Sequence, residues 1–235
     1  MIFLYSGTPG SGKSLHTAQD IVSKLKRGHR VIANFPVNLD EIRKKSLRYW
    51  LERTGMVFKN DDTLTHEIGD FIYKDNSELT VSYLVNYARK NHKLGKEGQT
   101  LLIIDECSVQ FNPRDFGRKD RDGWIKFFQH HRKLGYNVIL ISQNDRLIDR
   151  QIRSFIEYDV KHRKANNYKT LGLIFTLLHF KLFVAVTYWY GVREKCGVEF
   201  FTFKKRCSTY YDTFEMFDDT LLEDFEPEKL KWGMK

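Results

Sequence analysis

The chain has 235 residues, of which 41% are hydrophobic and 14% aromatic, with 15 glycines and 4 prolines. This composition excludes disordered, collagen-like and low-complexity proteins, and the length suits one large α/β domain. The net charge of +9 favours a polyanionic partner, either nucleic acid or an anionic membrane surface. The three cysteines are too few and too widely spaced for a disulfide framework or a zinc site, so we expect a reducing compartment.

The first 35 residues predict a strand, a glycine loop, a helix and a second strand. An apolar run at residues 2–6 precedes a glycine-rich segment at residues 7–12. Helical spacing of apolar residues follows from Lys13 to Lys26, and residues 30–34 form the next short apolar run. This order is a βαβ unit, which predicts a parallel sheet.

Helices and strands continue to alternate along the chain. Residues 36–79 lack clean periodicity and are predicted to be a partly helical insertion. The later predicted elements are a helix from Val81 to about Asn91 capped by Thr80, a buried strand at 101–104, a helix with an apolar stripe from Trp124 to Leu134, a buried strand at 138–141 and a strand at 158–163. We therefore predict an α/β fold over residues 1–165, with a mostly parallel central sheet flanked by helices.

Residues 171–190 are almost wholly apolar and long enough to span a bilayer, with His179 and Lys181 as polar interruptions. The alternating pattern of the second half, together with its β-branched and aromatic residues, favours strands instead. We expect two buried strands, or a short helix and a strand. We accordingly predict a β-rich extension of the same domain at residues 166–217, followed by a polar tail at residues 218–235.

Residues 7–14 match the phosphate-binding P-loop pattern G-x-x-x-x-G-K-[ST]. Glycines allow a backbone curl whose N–H groups point inward, Lys13 places a cation at the β- and γ-phosphates, and Ser14 offers a hydroxyl to Mg²⁺. The start of the following helix adds its dipole at the same place. We predict a nucleoside triphosphate site here. The candidate nucleotide-binding residues are Gly7, Thr8, Pro9, Gly10, Ser11, Gly12, Lys13, Ser14 and Leu15.

Two carboxylates, Asp105 and Glu106, follow the apolar run at residues 101–104, and we expect that strand to end beside the P-loop. Asp105 is the candidate Mg²⁺ ligand, acting through the water shell of the ion. Glu106 is the candidate base that orients and activates the attacking water. The second carboxylate makes water the expected phosphoryl acceptor, which favours a nucleoside triphosphatase over a small-molecule kinase.

Three further polar residues are candidates for catalytic roles. Gln143 follows the next predicted strand, where its side chain can sense the γ-phosphate. Arg150 and Arg153 follow Gln143, and nothing adjacent to the acid pair supplies a cation to the transition state. A neighbouring subunit packed head to tail would bring one of these arginines to the γ-phosphate, and such contacts can close into a ring. The alternative is that both arginines pair with Asp149 and Glu157.

Several segments together resemble the zonular occludens toxin (Zot) domain family. They are residues 2–14, Val31 to Phe35, Ile103 to Glu106, His130 to Gln143 and, more loosely, Tyr211 to Thr213. This family is the cytoplasmic ATPase part of filamentous-phage assembly proteins and is similar to FtsK/HerA-type DNA-pumping ATPases.

The resemblance implies a function, cofactors and partners. It implies ATP hydrolysis with Mg²⁺, coupled to export of phage through the host envelope at the cytoplasmic face of the inner membrane. The implied partners are phage assembly or envelope proteins and further copies of the chain in a ring, by analogy a hexamer. The family also has a downstream transmembrane anchor. No clear span follows Tyr190, so the question of whether this chain has that anchor stays open.

Two other functions remain open. The chain can be a DNA-translocating or packaging ATPase that acts on single-stranded DNA or a nucleoprotein, or a nucleotide-switched scaffold with little turnover. The basic clusters at residues 43–45 and 204–206 suit DNA or an anionic membrane surface, although such clusters are usually solvated surface.

Overall fold

The computed structural model describes residues 1–55, 64–93, 95–115, 117–165, 181–203 and 205–210. Its strands are β1 (Ile2–Ser6), β2 (Arg30–Ala33), β3 (Phe71–Tyr73), β4 (Thr100–Ile104), β5 (Tyr136–Ile141), β6 (Tyr158–Lys164), β7 (Leu182–Trp189) and β8 (Lys195–Thr202). The helices in this part of the chain are α1 (Lys13–Lys26), α2 (Leu39–Arg43), α3 (Ser46–Arg53), α4 (Val81–Asn91), α5 (Cys107–Gln110), α6 (Arg121–His130), α7 (Arg150–Arg153) and α8 (Lys205–Ser208).

The strands form one sheet of eight in the order β3-β2-β4-β5-β1-β6-β7-β8. Neighbours from β3 to β6 are parallel, whereas β7 and β8 join the sheet antiparallel. The prediction of an α/β fold with a mostly parallel sheet and a strand-rich C-terminal part is confirmed. The sheet also shows that β5 separates β1 from β4, so Asp105 lies two strands away from the P-loop strand.

Apolar clusters cover both faces of the sheet. On one face α4, α6 and α7 bury Leu84, Trp124 and Ile152, and on the other face α1 buries Ile21 and Leu25. Alternate residues of β1 enter each cluster, because successive side chains of a strand point to opposite faces. Each such side chain stabilises the fold by about 1.5–3 kcal/mol. Apolar side chains therefore pack on both faces of the sheet, and β1 lies largely buried between β5 and β6.

The helix that follows Thr80 begins as predicted. The Thr80 hydroxyl accepts a hydrogen bond from the N–H of Tyr83 at 3.2 Å, and α4 ends at Asn91. The helix predicted around Trp124 ends at His130, so Leu134 lies beyond it. The predicted insertion contains α2 and α3 but also β3, a three-residue strand at the edge of the sheet. Such a short strand has no detectable periodicity.

The second half of the apolar stretch at residues 171–190 forms β7. Residues 171–180, where we predicted a strand or short helix, and the predicted polar tail at residues 218–235 lie outside the described residues. No helix within the described ranges is long and apolar enough to cross a membrane.

Candidate active site

The P-loop joins β1 to α1 through glycines in conformations that other residues rarely adopt. Gly7, Gly10 and Gly12 have φ angles of +147°, +73° and +98°. Gly12 is also the N-cap of α1 and provides no side-chain cap for the first N–H groups of the helix. A helix N-terminus without a side-chain cap, reached through a glycine loop, favours the binding of an anion.

The side chain of Lys13 lies over the loop that it follows. Its ammonium donates hydrogen bonds to the carbonyls of Gly7 at 2.7 Å and Thr8 at 3.3 Å. Burial lowers the pKa of Lys13, and the charge of Asp105 opposes that shift. Lys13, at the start of α1, is thus close enough to Asp105 to be affected by its charge, although β5 separates β1 from β4.

Two observations fit a phosphate group in this loop. The hydroxyl of Ser11 is buried and has no hydrogen-bond partner among the described residues. A Cβ added to Gly7 would lie 2.7 Å from that hydroxyl and 2.7 Å from the carbonyl oxygen of His162, so only glycine leaves the space open. Ser14 lies in the first turn of α1, and its hydroxyl is an oxygen donor, the kind of ligand that Mg²⁺ takes.

Gly12 also contacts the C-terminal strands, which leads to a prediction. A Cβ on Gly12 would lie 2.7 Å from Cδ1 of Phe183 in β7, whereas no atom in the part of the chain that the structure describes lies within 4 Å of a Cβ on Gly10. Both alanine variants incur the cost of positive φ, about 1–2 kcal/mol. We expect Gly12→Ala to lose a further ~1–3 kcal/mol to overpacking against Phe183. Urea unfolding should give a lower midpoint for Gly12→Ala than for Gly10→Ala, and adding Phe183→Leu should recover part of the loss. Equal midpoints for the two alanine variants would contradict this contact.

Asp105 and Glu106 lie where β4 ends, at the same edge of the sheet as the P-loop, because parallel strands end on one side. Asp105 is buried, and its Oδ1 accepts a hydrogen bond from the N–H of Glu106 at 2.7 Å. Glu106 is exposed and has a φ of +48°, which is uncommon for a residue with a side chain. One carboxylate is therefore held inside the site and the other can reach water.

A residue to which we assigned no role holds Asp105 in place. The side chain of Asn34, just after β2, accepts a hydrogen bond from the N–H of Asp105 at 2.7 Å and donates one to its carbonyl at 2.9 Å. The same amide donates to Oδ1 of Asn76 at 2.8 Å. A polar residue at the end of a buried strand was the available signal, as it was for Asp105 and Gln143.

Gln143 and Leu15 occupy different surroundings at this edge. The carbonyl of Gln143, which follows β5, accepts a hydrogen bond from the N–H of Gly7 at 3.4 Å, and its side chain is exposed. The ends of β1 and β5 therefore meet. The side chain of Leu15 packs on the apolar cluster behind α1, so only its main chain is placed to serve a ligand in the loop.

Arg150 and Arg153 lie on α7, which packs on the face of the sheet opposite α1. Arg150 is exposed, and Arg153 donates to the carbonyl of Asp145 at 3.4 Å. The alternative that both pair with neighbouring carboxylates is wrong, because Asp149 and Glu157 pair instead with Arg121 and Arg132. Neither Arg150 nor Arg153 forms an ion pair within the ranges that the structure covers. Their hydrogen bonds in those ranges do not reach the P-loop of the same chain.

The C-terminal strands contact α1 through a row of rings that sequence analysis did not identify. Phe183 stacks on Phe201 with ring centroids 5.6 Å apart, and Phe201 stacks on His16 at 5.0 Å. Nδ1 of His16 lies 2.8 Å from Nε2 of His162, on β6. Burial, and then the charge of His16, lowers the pKa of His162 to about 3. The helix that follows the P-loop is therefore braced by β6, β7 and β8.

Proteins of filamentous phages are similar to this chain in sequence. Gene 1 protein of Escherichia phage If1 is 26% identical over 228 residues, which cover 93% of this chain and 60% of the relative. Gene 1 protein of Enterobacteria phage f1 is 28% identical over 176 residues, which cover 75% of this chain and 45% of the relative. The chain thus spans about half the length of these curated relatives.

A solved structure and a family model extend the comparison. A DnaB-like replicative helicase has a TM-score of 0.53 with 12% identity, covering 87% of this chain and 56% of that one, which is a likeness of fold alone. The family model of the zonular occludens toxin (Zot) matches residues 1–211. Because that match takes in the P-loop, the acid pair and all eight strands of the described sheet, the chain belongs to the zonular occludens toxin (Zot) family.

Proposed function

We propose that this chain is an ATP-hydrolysing motor domain that drives assembly of filamentous phage and export through the host envelope. Family membership and the similarity to Gene 1 proteins of phages support the assembly role. The observation that carries hydrolysis is the convergence of the P-loop, Lys13 and the pair Asp105 and Glu106 at one edge of the sheet. The domain would act at the cytoplasmic face of the host inner membrane, with phage assembly or envelope proteins as partners.

Each group of site residues has its own role in the hydrolysis of ATP. The loop N–H groups and Lys13 bind the β- and γ-phosphates. Mg²⁺, held by Ser14 and Asp105, would neutralise charge on those phosphates. Glu106 accepts a proton from the water that attacks the γ-phosphorus, and the bond from that phosphorus to the oxygen of the β-phosphate breaks. The products are ADP and inorganic phosphate, and Gln143 would report whether the γ-phosphate is present.

The test is ATP hydrolysis by the purified chain, measured alone, with single- or double-stranded DNA, and with vesicles of anionic lipid. Turnover that duplex DNA leaves unchanged, together with binding to anionic vesicles, supports the envelope role. Stimulation by DNA of several-fold, with binding that weakens as salt rises, would instead indicate a motor acting on nucleic acid. Nucleotide binding without turnover would overturn the proposal in favour of a scaffold.

We further propose that turnover requires a head-to-tail ring, by family analogy a hexamer, in which Arg150 or Arg153 reaches the γ-phosphate of a neighbour. The exposure of Arg150 and the engagement of Asp149 and Glu157 by other arginines support this role. A cation supplied in this way is worth roughly 10³–10⁵-fold in rate.

Mixing subunits tests the ring. We expect Arg150→Ala or Arg153→Ala to lose turnover, and a Lys13→Ala subunit, which keeps both arginines, to restore it when the two are mixed. Arg146→Ala, an exposed arginine nearby on the chain, is the control. Specific activity that is independent of protein concentration, with full turnover in both arginine variants, would show that a single subunit suffices.

A further inference from the structure

The side chain of Asn34 joins the end of β2 to the main chain that follows β4. β2 ends at Ala33, and Asn34 is the next residue. The carboxamide of Asn34, a residue only 4% exposed, accepts a hydrogen bond from the N–H of Asp105 and donates one to the carbonyl of Asp105. Its second N–H donates to Asn76, so every hydrogen-bonding hydrogen of this amide is used.

These bonds act on the main chain immediately before Glu106. Asp105 is fixed by Asn34 on its backbone, and its own carboxylate accepts from the N–H of Glu106. Glu106 then adopts a left-handed conformation, which persists only where surrounding contacts hold it. Asn34 provides two of those contacts, and its side-chain hydrogen bonds within the described residues go to Asp105 and Asn76 rather than to the P-loop or Lys13.

We propose that Asn34 is a positioning residue that sets the direction of both carboxylates, and that Asn76 holds Asn34 in turn. The inference rests on the proposed function, in which Asp105 and Glu106 serve hydrolysis. Asn76 lies in the exposed turn between β3 and α4. Two side-chain amides, those of Asn34 and Asn76, therefore connect the acid pair to the surface of the domain by hydrogen bonds. Replacement of either amide should therefore impair the roles of Asp105 and Glu106 in Mg²⁺ binding and hydrolysis, and should leave the binding of phosphate by the P-loop unchanged.

The variants are Asn34→Ala, Asn34→Leu, which keeps the number and branching of the side-chain heavy atoms but cannot form hydrogen bonds, and Asn76→Ala. The matched control is Asn91→Ala, because the exposed Asn91 amide also donates to a main-chain carbonyl, that of Tyr87. We expect both Asn34 variants to lose turnover by about 10–100-fold, the usual effect of removing a group that orients a metal-binding carboxylate. The loss should be smaller for Asn76→Ala and absent for the control.

Nucleotide affinity, measured with and without Mg²⁺, separates positioning from a general structural role. Affinity without Mg²⁺ should be unchanged in the Asn34 variants, while the gain in affinity on adding Mg²⁺ should shrink. Wild-type turnover in Asn34→Leu, or an equal loss of affinity with and without the metal, would overturn the proposal. If the wild-type chain binds but does not hydrolyse ATP, the proposed function fails. The response to Mg²⁺ still tests Asn34 in that case, since an unaltered response in its variants counts against positioning.

Discussion

Lys13→Ala is expected to abolish ATP turnover, with a loss of at least about 10²–10³-fold, which is typical for removing one group that stabilises charge in a transition state. The Lys13 ammonium lies over the P-loop and donates hydrogen bonds to the carbonyls of Gly7 and Thr8. Phosphate release at saturating ATP measures the effect. Lys24→Ala, in the last turn of the same helix, is the control and should keep wild-type turnover.

The arginine variant sharpens this test. A guanidinium carries the same charge but is planar and larger, so Lys13→Arg should also fail where the loop carbonyls hold a compact ammonium. Wild-type turnover in Lys13→Ala would remove the P-loop from the mechanism altogether.

Glu106→Gln is expected to bind ATP but hydrolyse it about 10²–10⁴-fold more slowly, the usual contribution of a general base. Glutamine has the same shape and the same backbone cost at a φ of +48°, so folding should not change. This variant should therefore bind as much nucleotide as the wild type but release phosphate more slowly. The exposed Glu97, replaced by glutamine, is the control. Unimpaired hydrolysis in Glu106→Gln would assign the activation of water to another group.

The central strands were predictable because burial on both faces leaves a continuous apolar run. Residues 101–104 and 138–141 are such runs, and they form most of β4 and β5. The strands at the two edges of the sheet lack such a continuous apolar run. β8 alternates poorly, with Phe200 66% exposed, and β3 has only three residues. The position of β5 between β1 and β4 has no local pattern at all, because strand order depends on contacts between distant residues.

The same distinction applies to the site. The P-loop was predictable because all its ligand groups lie within one short segment whose glycines serve the backbone. Asn34 is 71 residues from the main chain that it holds, and Phe183 approaches Gly12 from the other end of the domain. A single asparagine or phenylalanine is not part of a motif with defined spacing, so these contacts become visible only in the folded structure.

The place of β1 in the sheet also bears on how the domain is made by a ribosome. β1 pairs with β5 and β6: Ile2 is opposite Val138, and Phe3 is opposite Tyr158. The first strand therefore cannot pair until these later residues have been synthesised. At about 5–20 residues per second, roughly 7–30 s separate the synthesis of the first strand from that of its two neighbours. During that interval an apolar strand is exposed on the nascent chain, open to chaperones and to aggregation. The P-loop, although early in the sequence, thus gains its supporting strands late, and a polypeptide stopped before residue 158 would lack one side of its nucleotide site.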